Sequence, residues 1–278
     1  MALRNFERKT GFFTWILLMH VNAAYDLTAR YYLTEDHFFA ATCARYRRHS
    51  AGINTYFAED DSTPWNMLFI RVGSAALGEA TQVILELIRR TVTPVRIVIP
   101  EVQVDGLRDT LTGLGFEPAE QSTTMVLPLP RFASSISEDA VQISLTRNLN
   151  EWAIALGSAF SISPETVANY QARHQRALDA DEALYHFTLS VEGQVSCSLT
   201  LSLCEGEARL SDVGALAGFR GRGYATRLIQ AALLHASDLG ARRCFLEGSM
   251  MAVPLYRKLG FQRLFDCASF VRGPVPNP

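Results

Sequence analysis

The sequence predicts an α+β fold, a mixed and mostly antiparallel sheet flanked by helices, built in two tandem copies. Three observations carry this. Residues 183–191, 194–203 and 208–216 are strand-like runs separated by Glu192-Gly193 and Glu205-Gly206, turn dipeptides that make a meander of hairpins. Residues 223–237 then switch to a helical period, with Ala225, Leu228, Ile229, Ala232, Leu233 and Ala236 on one face. Finally, residues 65–129 repeat the tail of the second half at a constant offset. Gly78 and Gly223 lie 145 positions apart, as do Gly115 and Gly260. At that offset Leu114-Gly-Phe116 falls on Leu259-Gly-Phe261, as a duplication predicts.

Taken in order, the first half opens with Arg4, Arg8 and Lys9 before the apolar run 11–19, followed by Val21-Asn-Ala23, which imitates a cleavage site. The run is too short to span a bilayer and is broken by His20, so it reads as a core element. Residues 25–46, with Tyr31, Tyr32, His37, Phe38 and Phe39, read as an amphipathic core helix or a pocket lining. Strands are expected over 67–72, 95–99 and 123–129, and helices over 78–90 and 104–114. Two prolines and three serines between Leu127 and Asp139 mark an exposed connection, dividing the chain into domains 1–130 and 139–278.

The second half starts with a strand over 141–145 and helices over 150–160 and 164–178, the latter capped by Ser163 with Pro164 in the first turn. After the meander and the long helix come a strand at 244–247, a short helix at 253–259 and a last strand at 263–271.

Composition bounds the function. At 278 residues, 48% hydrophobic and 19% charged, the chain can build real cores and is not disordered. Its net charge of −2 gives no general attraction to nucleic acid or an anionic membrane. Five cysteines without CxxC spacing indicate neither a disulfide framework nor a zinc site, so no metal is expected; a reducing cytoplasm is the simplest location.

The chemistry concentrates at Arg220-Gly-Arg-Gly-Tyr-Ala225, between a strand and a helix. Glycines let backbone approach a ligand, and the first amides of a helix lack partners within it. With the helix dipole they can bind an anion such as pyrophosphate, and Arg220 and Arg222 add charge there. The turn lacks the Gly-Lys-Ser/Thr of a nucleotide-hydrolysing loop and the spacing of a dinucleotide fold.

The stretch 210–261 resembles the GNAT superfamily of acyl-coenzyme A-dependent N-acyltransferases. Arg220-x-x-Gly223-x-Ala225 is similar to its Arg/Gln-x-x-Gly-x-Gly/Ala signature, and Leu255-Tyr-Arg-Lys-Leu-Gly-Phe261 to its second motif. The likeness extends well over 141–272 and weakly over 65–129. It implies an acetyl-coenzyme A-dependent transfer to a primary amine, on a small molecule or peptide, by direct attack in a ternary complex. It further implies that amides of Gly221, Arg222, Gly223, Tyr224 and Ala225 hold the pyrophosphate, and that the backbone of Ala215, Leu216 and Ala217 pairs with the pantetheine arm. Tyr256 would protonate the leaving thiolate. Ser249 stands where the family often has asparagine, which weakens that contact. Asp212 and Glu247 are the candidate general bases; strand alternation lets only one side of 209–213 face the cleft unless a bulge changes the phase. His174 and His186 read as pocket residues or structural histidines. In the first half Ala75, Ala76, Leu77 and Leu111 replace Arg220, Gly221, Arg222 and Tyr256, so that copy reads as degenerate. The rival reading is a non-catalytic acyl-coenzyme A-binding regulatory protein; a homodimer is left open.

Overall fold

The computed structural model describes residues 27–43, 45–50, 52–57, 68–73, 77–91, 93–129 and 141–273. The apolar run at 11–19, Ala75, Ala76 and the end of the interdomain connection lie outside them. Among the described residues no helix is long and apolar enough to cross a membrane.

Helix α1 covers residues 27–42. It is followed by the hairpin β1 (Arg45–Ser50) and β2 (Ile53–Phe57), then β3 (Leu68–Val72), α2 (Leu77–Arg89), β4 (Val95–Pro100), α3 (Val104–Gly113) and β5 (Glu117–Pro128). The second half runs β6 (Val141–Thr146), α4 (Leu149–Phe160), α5 (Pro164–Asp179), β7 (Leu184–Val191), β8 (Gln194–Cys204), β9 (Glu207–Ala215), α6 (Tyr224–Asp238), β10 (Arg243–Ser249), α7 (Val253–Lys258) and β11 (Gln262–Arg272). The expected helices and the meander are present. The aromatic segment ends its helix at residue 42, and the β1–β2 hairpin follows, an addition to the predicted elements. Local chemistry explains the helix starts. Asn148 accepts from the Asn150 amide at the head of α4, and Ser163 accepts from Thr166 at α5, where Pro164 sits in the first turn.

The described strands join one sheet, in the order β1-β2-β3-β4-β11-β5-β10-β9-β8-β7-β6. Among the described residues only β3–β4 and β9–β10 pair in parallel. The middle of this order interlaces the two halves. β11 inserts between β4 and β5, while β5 inserts between β11 and β10. The cores record the exchange: Met125, Leu127 and Leu129 pack in the cluster of α6 and α7, and Phe270 packs in that of α2 and α3.

Alternation then gives the second-half sheet two unlike faces. Leu127, Leu199, Leu201, Leu210 and Leu246 lie against Leu228, Ile229 and Leu233 of α6 and against Val253 and Tyr256 of α7. Each fully buried Leu or Ile stabilises by about 1.5–3 kcal/mol relative to exposure. The opposite face is polar, with Thr124, His186, Ser198, Thr200 and Arg209 buried. Helices α1, α4 and α5 cover it: Phe38, Trp152, Ala177 and Leu178 form one cluster there.

Candidate active site

The site begins where two parallel strands separate. β9 and β10 share only the pairs Ala208–Cys244 and Arg209–Phe245, and the ladder stops there. The cause lies on the other edge of β9. Its register with β8 jumps from Thr200–Ser211 to Ser198–Gly214, leaving Asp212 and Val213 opposite one residue. Such a bulge bends its strand. Asp212 takes φ 58°, a left-handed conformation uncommon for a residue with a Cβ. Gly214 completes the bend by letting α4 close in, since a Cβ there would lie 3.0 Å from Ala159 Cβ and 3.1 Å from the Ala155 carbonyl oxygen.

The bulge also decides which way Asp212 points. Plain alternation would send it toward α6 with Ala208 and Leu210. Instead its carboxylate faces α5, where Tyr170 Oη donates to Oδ1 at 2.8 Å and His174 Nε2 stands 3.8 Å from Oδ2. Burial lifts this carboxyl to about 6, against the lowering effect of the Tyr170 hydrogen bond.

Beyond Ala215, Leu216 still donates its amide to the Ser196 carbonyl, and residues Ala217–Phe219 form a 3₁₀ turn. Gly221 and Gly223 follow at φ 75° and 81°, the backbone of a turn that glycine adopts without strain. Cβ atoms built on them would meet nothing within 4 Å, so the turn is open on its outer side. Gly223 is the N-cap of α6 and brings no side chain to cap it. The amides that start α6, from Tyr224 and Ala225, therefore face an open approach suited to an anion. The two arginines differ. Arg220 reaches back, donating from Nε to the Ala215 carbonyl at 3.1 Å and from Nη2 to the Ser158 carbonyl at 3.4 Å, and so braces the turn against β9 and α4. Arg222 lies over the Phe219 ring at 5.7 Å and is exposed.

On the apolar face Tyr256 is buried, with its ring against Gly248 of β10; a Cβ at Gly248 would lie 2.9 Å from Tyr256 Cε2. Burial, then the neighbouring Cys244, raises the phenol well above its ordinary value. It therefore stays protonated, as a proton donor must. Ser249 is exposed at the end of β10, and Met250 and Met251 form an exposed turn before α7.

Glu247 is differently placed. It shares the α1 side of the sheet, where Arg71 Nη2 donates to Oε2 at 2.5 Å, Ser122 Oγ to Oε1 at 2.6 Å and Tyr31 Oη to Oε2 at 3.1 Å. Burial would raise its carboxyl, yet the Arg71 charge and the Ser122 hydrogen bond hold it at about 2. A carboxylate so held is a weak proton acceptor. Arg71 also meets Glu35 at 2.5 Å, and Arg209 lies over the Tyr31 ring at 5.3 Å. Sequence reading missed this buried cluster, because its members come from α1, β3, β5, β9 and β10.

The comparisons with known proteins bear on the same stretch. Residues 149–261 match the acetyltransferase (GNAT) family. That stretch is similar to the acetyltransferase domains of the GNAT family. Among solved structures, a GCN5-related N-acetyltransferase from Kribbella flavida superposes with TM-score 0.60 at 15% identity, covering 90% of this chain and 96% of its own. One from Sphaerobacter thermophilus gives 0.59 at 16% identity, with 82% and 78% covered. A tandem GNAT protein from the clavulanic acid biosynthesis pathway gives 0.59 at 12%, with 82% and 80% covered. At these identities the likeness is one of fold: the GNAT-like α+β architecture with a mixed sheet flanked by helices. No curated protein matches the chain.

Proposed function

We propose that the chain is an acetyl-coenzyme A-dependent N-acetyltransferase whose acceptor is a primary amine, with its working site in the second half. The observation that carries this reading is the opening where β9 leaves β10, running into the glycine turn and uncapped start of α6. An extended thioester with a diphosphate tail matches that combination of free strand edge and anion-binding turn. The amides of Gly221 to Ala225 would hold the diphosphate and the edge at Ala215 to Ala217 the arm. Acetyl-coenzyme A supplies the acetyl group as a thioester.

The chain's own residues divide the proton work between the two faces of the opening. Asp212, on the polar face, takes a proton from the acceptor's ammonium, leaving a neutral amine to attack the thioester carbonyl. The C–N bond forms and the C–S bond breaks. Tyr256, on the apolar face, gives its phenolic proton to the departing sulfur and recovers one from the new amide nitrogen. Glu247 keeps its proton affinity too low for the first task and serves to anchor β10.

We read the first half as a tandem copy that no longer binds the donor. There Tyr32 packs its ring on Gly73, where a Cβ would meet it at 3.1 Å, while Gly218, the residue 145 positions on, is open. Gln103 Nε2 donates to the Gly73 carbonyl, and Leu111 lies buried in the place of Tyr256.

The test is thermal unfolding with and without acetyl-coenzyme A. Saturating ligand should raise Tm, by about 3 kcal/mol of stabilisation at a hundred times Kd, and Gly223→Asp should remove that rise. No rise in the unmodified chain would overturn the reading. Thiol release should then be followed across amino acids, aminosugars, polyamines and peptide N-termini. Binding with release from none would instead leave a non-catalytic acyl-coenzyme A-binding protein.

A further inference from the structure

The polar face holds an arrangement that the proposed reaction has not yet used. His174 of α5 and His186 of β7 lie fully buried, with His174 Nδ1 and His186 Nε2 2.8 Å apart. Trp152 walls them in, its ring centroid 4.6 Å from that of His174 and 4.9 Å from that of His186. A separation of 2.8 Å between two ring nitrogens requires a single hydrogen between them. The other nitrogen of His174, Nε2, faces Asp212 Oδ2 at 3.8 Å, and a carboxylate can only accept. The direction of the chain follows: His186 Nε2–H donates to His174 Nδ1, and His174 Nε2–H is aimed at Asp212. Tyr170 Oη–H supplies the donor on the other oxygen, at 2.8 Å. At 3.8 Å this is a close approach of an N–H to a carboxylate oxygen and not a hydrogen bond.

We propose that Tyr170, His174 and His186 are positioning residues that fix the orientation and proton affinity of Asp212, an inference that rests on Asp212 acting as the base. The bulge alone turns the carboxylate to this face, where the Tyr170 hydroxyl donates to it, Thr200 lies against it and the His174 N–H closes the other side. The fixed tautomer of His174 keeps an N–H, not a lone pair, facing Asp212, while His186 keeps that tautomer fixed. The charged and titratable groups around them are Arg173 and Tyr170 on α5, Cys43 just beyond α1 beside Tyr170, Arg209 on β9, and Arg147 beside His186. Burial, reinforced at His174 by His186 and Arg173, holds both imidazoles below their ordinary value, so they stay neutral where the carboxylate works.

The experiment is carboxyl-carbon and imidazole-nitrogen NMR on the full chain, with pH profiles for the best amine found by the thiol-release survey. In the unmodified chain both imidazoles should remain neutral from about pH 5 to 8, each with its proton on Nε2. Tyr170→Phe removes a donor to the carboxylate, so the Asp212 titration and the acid limb of kcat/KM should move together to higher pH, by about one pH unit. His186→Phe should let His174 lose its Nε2–H preference and slow turnover about tenfold. His186→Gln, whose amide can donate to His174 Nδ1, should restore both. An Nδ1 proton on His174 in the unmodified chain, an Asp212 titration unmoved by Tyr170→Phe, a limb that stays while the carboxyl moves, or no rescue by glutamine would each overturn the proposal. The rise in Tm with acetyl-coenzyme A reports separately on the reading beneath it, and the variants should keep that rise.

Discussion

Replacing Arg71 by methionine would leave two buried carboxylates, Glu35 and Glu247, without the guanidinium that bridges them, Arg209 being the positive charge that stays nearby. Removing one partner of a buried ion pair costs about 3–5 kcal/mol, because the remaining charge is stranded in low dielectric. Glu247 gives a second route to the magnitude. Its carboxyl lies at about 2 against an ordinary 4.5. Each tenfold change in proton affinity is worth ~1.4 kcal/mol, so about 3 kcal/mol of stability at neutral pH resides in its ionised form. The assay is urea unfolding at pH 7 of the unmodified chain, Arg71→Met, Glu247→Gln and the double variant. Arg71→Met should lower the midpoint by about 1 M, for a slope near ~3 kcal/mol/M. The double variant should be less destabilised than the sum of the singles, with a coupling of about 2 kcal/mol or more. The sign with pH is fixed. A depressed carboxyl contributes its stability above about pH 4.5 and loses it as pH falls from there through about 2, so the gap between the two chains should narrow only in that range. Equal midpoints for Arg71→Met and the unmodified chain would refute the reasoning. So would a Glu247→Gln variant of full stability and no turnover, which would make Glu247 the base.

Asp212→Asn should do the opposite, abolishing turnover while stabilising the chain by up to about 3 kcal/mol at pH 7, since a carboxyl lifted from 3.8 to about 6 opposes folding while ionised. Stability contributed by this site should grow as pH falls from about 6 toward 4 in the unmodified chain and show no such dependence in the variant. Gly248→Ala should push the Tyr256 ring aside, costing about 1–3 kcal/mol in urea unfolding and lowering kcat more than acetyl-coenzyme A affinity. Tyr256→Phe should slow turnover and leave the ligand-induced rise in Tm intact; equal rates would remove its acid role.

What could be read from the sequence was local. The glycine turn, the capped starts of α4 and α5 and the amphipathic face of α6 each lie within a dozen residues, so spacing alone reveals them. Asp212 could be named but not aimed, because the bulge that turns it depends on pairing with β8 and on the approach of Ala155 and Ala159 to Gly214. Glu247 looked free because its counter-charge, Arg71, is 176 positions away. The β1–β2 hairpin escaped notice since Arg45-Tyr-Arg-Arg-His-Ser50 offers almost no apolar alternation. The strand exchange was illegible for a deeper reason. β5 and β11 lie 145 positions apart with similar patterns, so nothing within either strand says which neighbour it will choose.

That exchange has a consequence for how the chain is made. The sheet of the early half is closed by residues 262–272, which leave the ribosome long after the strands they must join. Until then β4 exposes an unsatisfied hydrogen-bonding border and an apolar cavity awaiting Phe270. During synthesis this protein therefore has no independently completed first unit, and a break anywhere near its end should unravel its beginning.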